Sequence, residues 1–465
     1  MPACLSATRS AVRWPIIAAS LLLFGCTVGP DYKRPEAPIP PNWATKSGSG
    51  GWPSAEWWHG FGSAKLDGYI TAAQTANFDI AAAVARVREA DAQAEIAGAP
   101  LLPSLGANAS VTHERASSAA GLKTFTEYAP GLTASYELDF WGKNRSALTA
   151  AEATATASRY DQVTVELTVM TSVATTYFQA IELRDRLAVA EDNLKSATTI
   201  LHGLELQETA GTGTALDVAQ QQTAVATLNA VIPPLRQQLR QTIDALAILI
   251  GQPPESVDVT DGTLGDLAVP KVTPGLPSEL LARRPDVAAA EQQLISANAN
   301  IGVARAAFFP SIQLTGSAGF LSTALSSAFN PANGVFALGA GLTQPIFEGG
   351  AIEGQYEYSK AHYDELVATY RKSVISAFGN VEDALVAVQQ TADQVERQQT
   401  ATNAARRAYE IAQAQLHAGT INILTVLNTE AALFTAQDAL VQARLLRLQA
   451  LVSLFNALGG GWQLS

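Results

Sequence analysis

The chain is written twice. Residues Asn77–Gly251 recur as Arg284–Gly459, displaced by 207 residues at first and by 208 towards the end. Asn77-Phe-Asp-Ile-Ala-Ala-Ala aligns with Arg284-Pro-Asp-Val-Ala-Ala-Ala, and Leu102-Pro-Ser-Leu with Phe309-Pro-Ser-Ile. Phe140-Trp-Gly aligns with Phe347-Glu-Gly, Ala210-Gly-Thr with Ala418-Gly-Thr, and Ile250-Gly with Leu458-Gly. A register that slips by one residue over such a length is not chance, and the period far exceeds the ~20–50 residues of a solenoid repeat. The chain is therefore predicted to hold two copies of one large unit, residues 77–251 and 284–459. An irregular, proline-rich linker (252–283) joins them, an arm and first helix (26–76) precede them, and a short tail (460–465) follows.

Residues 1–25 read as a lipoprotein signal peptide. Arg9 and Arg13 form a short positive region, and Trp14–Phe24 is apolar but too short to stay in a bilayer as a spanning helix. The stretch ends in Leu23-Phe24-Gly25-Cys26, which is similar to a bacterial lipobox, so Cys26 is the expected lipidation site and first mature residue. The other cysteine, Cys4, lies in the removed segment, which excludes a disulfide framework. Thr27, rather than Asp, follows the cysteine and favours the outer membrane. Net charge is -12 at pH 7, and near -14 once Arg9 and Arg13 are gone, so nucleic acid is not an expected partner. No later stretch is apolar enough for a transmembrane helix, so a membrane crossing would require a closed β-barrel.

Alternating segments supply candidate strands. Leu105, Ala107, Ala109 and Val111 alternate with small or polar residues, as do Leu132, Ala134, Tyr136, Leu138 and Phe140. In the second copy Ile312, Leu314, Gly316, Ala318 and Phe320 form one row, and Phe336, Leu338, Ala340 and Leu342 another. Hairpins are expected at about 104–140 and 311–346. The period-two pattern suits transmembrane barrel strands and also a half-buried soluble sheet. Four strands cannot close a barrel in one chain, because ~8 is the usual minimum, so spanning strands would have to be shared among chains.

The helices fill the remainder. Gly142–Ala210 and Gly349–Ala418 lack proline, and each would reach ~100 Å as a continuous helix. Their apolar residues step by three and four: Val163, Leu167, Met170, Ala174, Tyr177 and Ile181 in one copy, Val374, Phe378, Val381, Leu385 and Val388 in the other. This is a coiled-coil seam. Returning helices show it too, with Leu228, Ile232 and Leu235, and with Leu448, Val452 and Phe455. Each opening helix plus returning helix nearly matches the long helix in length, so the two are expected to stack end to end. Pro233-Pro234 is expected to kink or break the first returning helix.

At this point the residues resemble a family. Cys26-Thr-Val-Gly-Pro-Asp-Tyr-Lys-Arg-Pro, Trp57-Trp58, Leu281-Ala-Arg-Arg-Pro-Asp-Val and Ala307-Phe-Phe-Pro-Ser-Ile-Gln-Leu-Thr-Gly are similar to the outer-membrane efflux lipoproteins, TolC-type channel-tunnels of the OprM and NodT branch. The resemblance covers nearly the whole mature chain. It implies an α+β membrane protein: a homotrimer with a long α-helical coiled-coil barrel and a transmembrane β-barrel shared by three chains, four strands each. It implies outer-membrane lipid around the barrel, a periplasmic adaptor protein and an inner-membrane pump of the resistance-nodulation-division (RND) class as partners. It also implies that the helix tips dock the adaptor, at Gly211, Thr212, Gly419 and Thr420, and carry the gate, with Leu216, Asp217, Leu424, Thr425 and Asn428 as candidates. Related chains often carry acids at the positions of Thr425 or Asn428; this chain has none there, which leaves Asp217 as the acid for a pore-facing role.

No catalytic constellation is visible. His59, His113, His202, His362 and His417 have no metal-ligand spacing, and the adjacent Glu382 and Asp383 point different ways on their helix. No enzyme activity, metal or cofactor is expected beyond the covalent lipid on Cys26. The expected function is a passive trimeric duct for export of small molecules in a tripartite efflux pump. The alternatives are a duct for type I protein secretion and a non-conducting coiled-coil lipoprotein.

Overall fold

The computed structural model describes residues 27–45, 52–118, 121–260, 262–272 and 274–462. The signal peptide and Cys26 lie outside the described residues. In chain order the elements are α1 (Ala64–Ala76), α2 (Phe78–Gly98), β1 (Ser104–Ser118), β2 (Gly121–Leu138), α3 (Lys143–Thr209) and α4 (Ala215–Leu249). The short α5 (Pro277–Leu280) is followed by α6 (Pro285–Ala306), β3 (Ser311–Phe320), β4 (Gly334–Thr343), α7 (Ala351–His417) and α8 (Ile423–Ala457). Both long helices, α3 and α7, run for 67 residues, and both returning helices, α4 and α8, for 35. No described helix is long and apolar enough to cross a membrane.

The backbone divides into two units. The first comprises the described residues within 27–35, 86–158 and 289–371 and contains the sheet. Its four strands lie in the order β1-β2-β3-β4, each antiparallel to the next. The hairpin of β1 and β2 pairs from Ser104↔Ser135 to Ser118↔Gly121, well beyond the segments Leu105–His113 and Leu132–Phe140 that alternation singles out. Its outer part carries Glu114, Arg115 and Lys123, which break the apolar alternation while the main-chain ladder continues. Trp141 stacks on Phe309 with centroids 4.6 Å apart, and its indole N–H donates to the Pro310 carbonyl at 2.8 Å. It thereby ties together the roots of the two hairpins. The Asp139 carboxylate accepts from the backbone N–H groups of Asn144 and Arg145, both at 2.9 Å, and so satisfies orphan donors at the start of α3.

The N-terminal arm lies along α6 in this unit. Gly29 packs against Gly302, where an added Cβ would stand 3.0 Å from the Gly302 Cα. Asn298 donates to the Pro30 carbonyl at 2.8 Å, and Arg34 forms a two-pronged ion pair with Glu291. Thr27, the first described residue, packs on Gly142 between β2 and α3.

The second unit comprises the described residues within 36–85, 159–288 and 372–462. Its largest core gathers Trp57, Phe61, Phe178, Leu246 and Phe455, with Trp57 stacked on Phe455 at 4.9 Å. Trp57, Trp58 and Phe61 sit on one turn of 3-10 helix and fill the space between helices. Most seam residues read from the sequence are buried, among them Ala174, Tyr177, Ile181, Val374, Val381, Ile232 and Val452.

Two joints in this unit set a returning helix against an opening helix, one in each copy. Asn77 accepts from the N–H groups of Asp79 and Ile80 at the start of α2, and its side-chain amide donates to the Leu249 carbonyl at the end of α4, at 2.8 Å. Arg284, its counterpart in the second copy, donates to the Ala457 carbonyl at the end of α8, at 3.1 Å. In both copies a returning helix thus ends against the start of an opening helix. The glycines at these joints have no room for a side chain: a Cβ on Gly251 would stand 2.2 Å from the Ala76 carbonyl oxygen, and one on Gly459 1.9 Å from that of Arg283.

One half of an expectation is overturned: the first returning helix is not broken at its proline pair. Pro233 and Pro234 lie inside α4 without interrupting it. Their neighbours Ile232 and Leu235 are buried against α3 in a cluster with Leu183 and Ala190, and this packing holds the helix across the missing N–H groups.

Candidate gate and docking tip

The tip is built by two tight turns. At the end of α3, Gly211 N–H donates to the Glu208 carbonyl at 2.9 Å and Thr212 N–H to that of Gln207 at 2.8 Å. At the end of α7, Gly419 donates to Leu416 at 2.9 Å and Thr420 to Gln415 at 3.0 Å. This paired pattern closes a helix with a left-handed residue, and Gly211 and Gly419 have φ of 72° and 68°. The Thr212 and Thr420 hydroxyls reinforce it by donating to the same Gln207 and Gln415 carbonyls, both at 3.1 Å.

The returning helices then start with different caps. Thr214 accepts from Asp217 N–H at 3.2 Å and donates its hydroxyl to the Asp217 carboxylate at 2.8 Å. Asn422 accepts from Thr425 N–H at 3.3 Å and from the Thr425 hydroxyl at 3.1 Å. Thr214 and Asn422 are therefore the caps, and Asp217 and Thr425 stand at equivalent places in the first turn, each bonded back to its cap. Within the chain, Leu216 is 65 % exposed and Leu424 49 % exposed, so neither belongs to its coiled-coil core. Leu424 and Asn428 come together on a groove between α4 and α8 of about 440 Å³; Leu216, Asp217 and Thr425 do not line it.

Beneath these turns Leu204, Val218, Tyr409, Ile423, Val426 and Leu433 form a small core shared by α3, α4, α7 and α8. A polar layer interrupts it. Gln221 is fully buried and donates to the Ala197 carbonyl at 2.8 Å, while its own side-chain oxygen accepts nothing. Glu430 is 4 % exposed, and its Oε1 has no hydrogen-bond partner. Burial pushes the Glu430 carboxyl up from 4.5 to about 7, against the opposing pull of Tyr409 and Gln221 beside it. Burial likewise raises the Tyr409 hydroxyl, helped by Glu430.

Further along, Arg186 of α3 clamps Asp438 of α8 with two hydrogen bonds, at 2.6 and 3.3 Å, and also reaches Glu182 at 3.3 Å. Burial raises the Glu182 carboxyl, and Arg186 opposes that rise. Neither cluster stands out in a search for catalytic motifs. A signal exists all the same: Val218, Gln221, Val225 and Leu228 share one three-four step, and so do Ile423, Val426, Glu430 and Leu433. Gln221 and Glu430 are polar residues at seam positions. No group of His, Cys, Asp and Glu among the described residues could hold a metal ion.

A family model described as outer membrane efflux protein matches residues 69–252 and again 276–460. This chain belongs to the outer membrane efflux protein family. The chain is 40 % identical over 459 residues to the pyoverdine export outer membrane protein OpmQ of Pseudomonas aeruginosa, covering 96 % of each chain. It is 34 % identical to the solvent efflux pump outer membrane protein SrpC of Pseudomonas putida, covering 96 % of this chain and 98 % of the relative. Among solved structures, the outer-membrane channel OprN superposes with a TM-score of 0.89 at 27 % identity, over 94 % of this chain and all of that one. The open state of the Neisseria gonorrhoeae MtrE outer membrane channel superposes with a TM-score of 0.86 at 30 % identity, over 94 % and 98 % of the two chains. The chain is an outer-membrane protein of efflux systems, and its family consists of transport channels rather than enzymes.

Proposed function

We propose that three copies of this chain form a passive duct through the outer membrane for small molecules delivered by a periplasmic adaptor and an inner-membrane RND pump. The observation that carries this reading is the sheet. Among the described residues, the outer edges of β1 and β4 pair with no strand of the chain. Every residue of β4 is exposed, with Phe336 at 81 % and Leu338 at 83 %. An open, apolar edge of this kind invites pairing with another chain, and a bilayer tolerates strands only in closed barrels. Joining β1 of one copy to β4 of the next satisfies both demands, and three copies supply twelve strands. The cargo named for OpmQ and SrpC, pyoverdine and solvents, supports small molecules over secreted protein.

Cys26 carries the lipid in this reading, and Thr27 packed on Gly142 keeps the anchor at the root of the sheet. The turns at Gly211-Thr212 and Gly419-Thr420 dock the adaptor. Leu216, Asp217, Leu424, Thr425 and Asn428 surround the gate, with Leu424 as its apolar constriction. Native mass spectrometry of the detergent-extracted protein tests the assembly: the mass of three lipidated chains is expected, and a stable monomer or dimer overturns it. In cells, Cys26→Ala abolishes lipid labelling while barrels still insert; retained label on that variant overturns the anchor.

A further inference from the structure

We propose that the groove between α4 and α8 is a binding site for a lipophilic organic cation, with the Glu430 carboxylate as its counter-ion. Leu228, Val231, Leu424, Leu427 and Phe434 give it a mainly apolar surface, neutral polar side chains such as Gln220 and Asn428 line the rest, and no lysine, arginine or histidine lines it. At about 440 Å³ it lies within the ~300–1,000 Å³ of small-molecule sites. Its single ionisable lining group is Glu430, nearly fully buried, with an Oε1 that accepts no hydrogen bond. A desolvated carboxylate without a cation is costly, and it lowers that cost by taking up a proton or by pairing with positive charge. A mainly apolar groove with such an acid in its lining selects a cation whose substituents are themselves apolar. Hydrated metal ions gain little there, and an anion meets only like charge.

The site belongs to the wall of the tip and goes beyond the duct reading, because binding requires neither conduction nor a pump. The groups acting on Glu430 are Tyr409 of α7 and Gln221 of α4, and of these only Tyr409 is titratable. Protons and ligand therefore compete for one carboxyl that titrates near neutrality.

Equilibrium dialysis of the full-length protein in lipid nanodiscs, with tetraphenylphosphonium as probe and tetraphenylborate as the anion of the same shape, tests the site. The expected result is saturable binding of the cation, one per chain, on the order of 10-fold or more tighter at pH 8 than at pH 5.5. Tetraphenylborate shows no saturable binding. Glu430→Gln removes the pH dependence and weakens cation binding at pH 8 by at least about 10-fold. Ala431→Phe, at an exposed position on the groove wall, leaves the acid in place and blocks binding by bulk. Equal affinity at both pH values, equal affinity of wild type and Glu430→Gln, or no saturable binding to wild type (as when a second copy of the chain fills the groove) overturns the proposal.

Discussion

Replacing Glu430 by Gln should make the tip insensitive to pH. The folded tip holds the Glu430 proton up to about pH 7, whereas an exposed glutamate releases it near 4.5. A carboxyl raised in this way contributes stability that is fully present below the unfolded value and is lost as pH rises through the folded one. The shift corresponds to about 3 kcal/mol, since each pH unit is worth about 1.4 kcal/mol. Between pH 5 and pH 8 the population of locally opened tip should therefore rise on the order of 100-fold. Hydrogen exchange of the amides from Val218 to Leu228 and from Leu424 to Phe434, corrected for intrinsic rates, reads this directly. Wild type should lose protection across that range, and Glu430→Gln should show a flat profile. The amides of Leu448 to Phe455, packed in the larger core away from the raised acids Glu182 and Glu430, serve as an internal reference with no such slope. A flat wild-type profile, or the same slope in Glu430→Gln, would refute the assignment of a buried, protonated acid at the tip.

Two further perturbations follow from the packing of the second unit. Arg186→Met removes the guanidinium that Glu182 and Asp438 share, leaves Gln442 as a donor to Asp438, and should cost about 1–3 kcal/mol for this part-buried cluster, while the triple change Glu182→Gln, Asp438→Asn and Arg186→Met recovers most of it; thermal melts of wild type and the two variants compare them. Gly419→Ala strains a left-handed turn with open space around it and should cost about 1–2 kcal/mol, whereas Gly459→Ala adds a clash with the Arg283 carbonyl worth a further ~1–3 kcal/mol; equal melting shifts for the two would contradict the joint.

Much of this architecture is legible in the residues. Helices α3 and α7 follow from proline-free stretches with a three-four apolar step that end at Ala210-Gly211-Thr212 and Ala418-Gly419-Thr420, and the turns close where those glycines stand. The end-to-end joints are foreshadowed by helix lengths alone, but the atoms that make them, the Asn77 amide and the Arg284 guanidinium, are not. Strand length is under-read in β1 and β2, because Glu114, Arg115 and Lys123 carry the ladder without carrying the apolar pattern. Pro233-Pro234 does not break α4 as its local cost suggests, because the tertiary packing of Ile232 and Leu235 holds the helix together around it. The polar layer at the tip is missed for a related reason: a seam is sought in apolar residues, and Gln221 and Glu430 sit on it as exceptions.

In the proposed assembly three copies of this chain enclose a water-filled path through the outer membrane. Single-channel recording of the purified, reconstituted protein across a planar bilayer tests it most directly. Discrete conductance steps are expected, with cation preference under a salt gradient, as suits a chain with a net charge of -12. Protein that inserts into the bilayer and yields no discrete conductance would contradict the account.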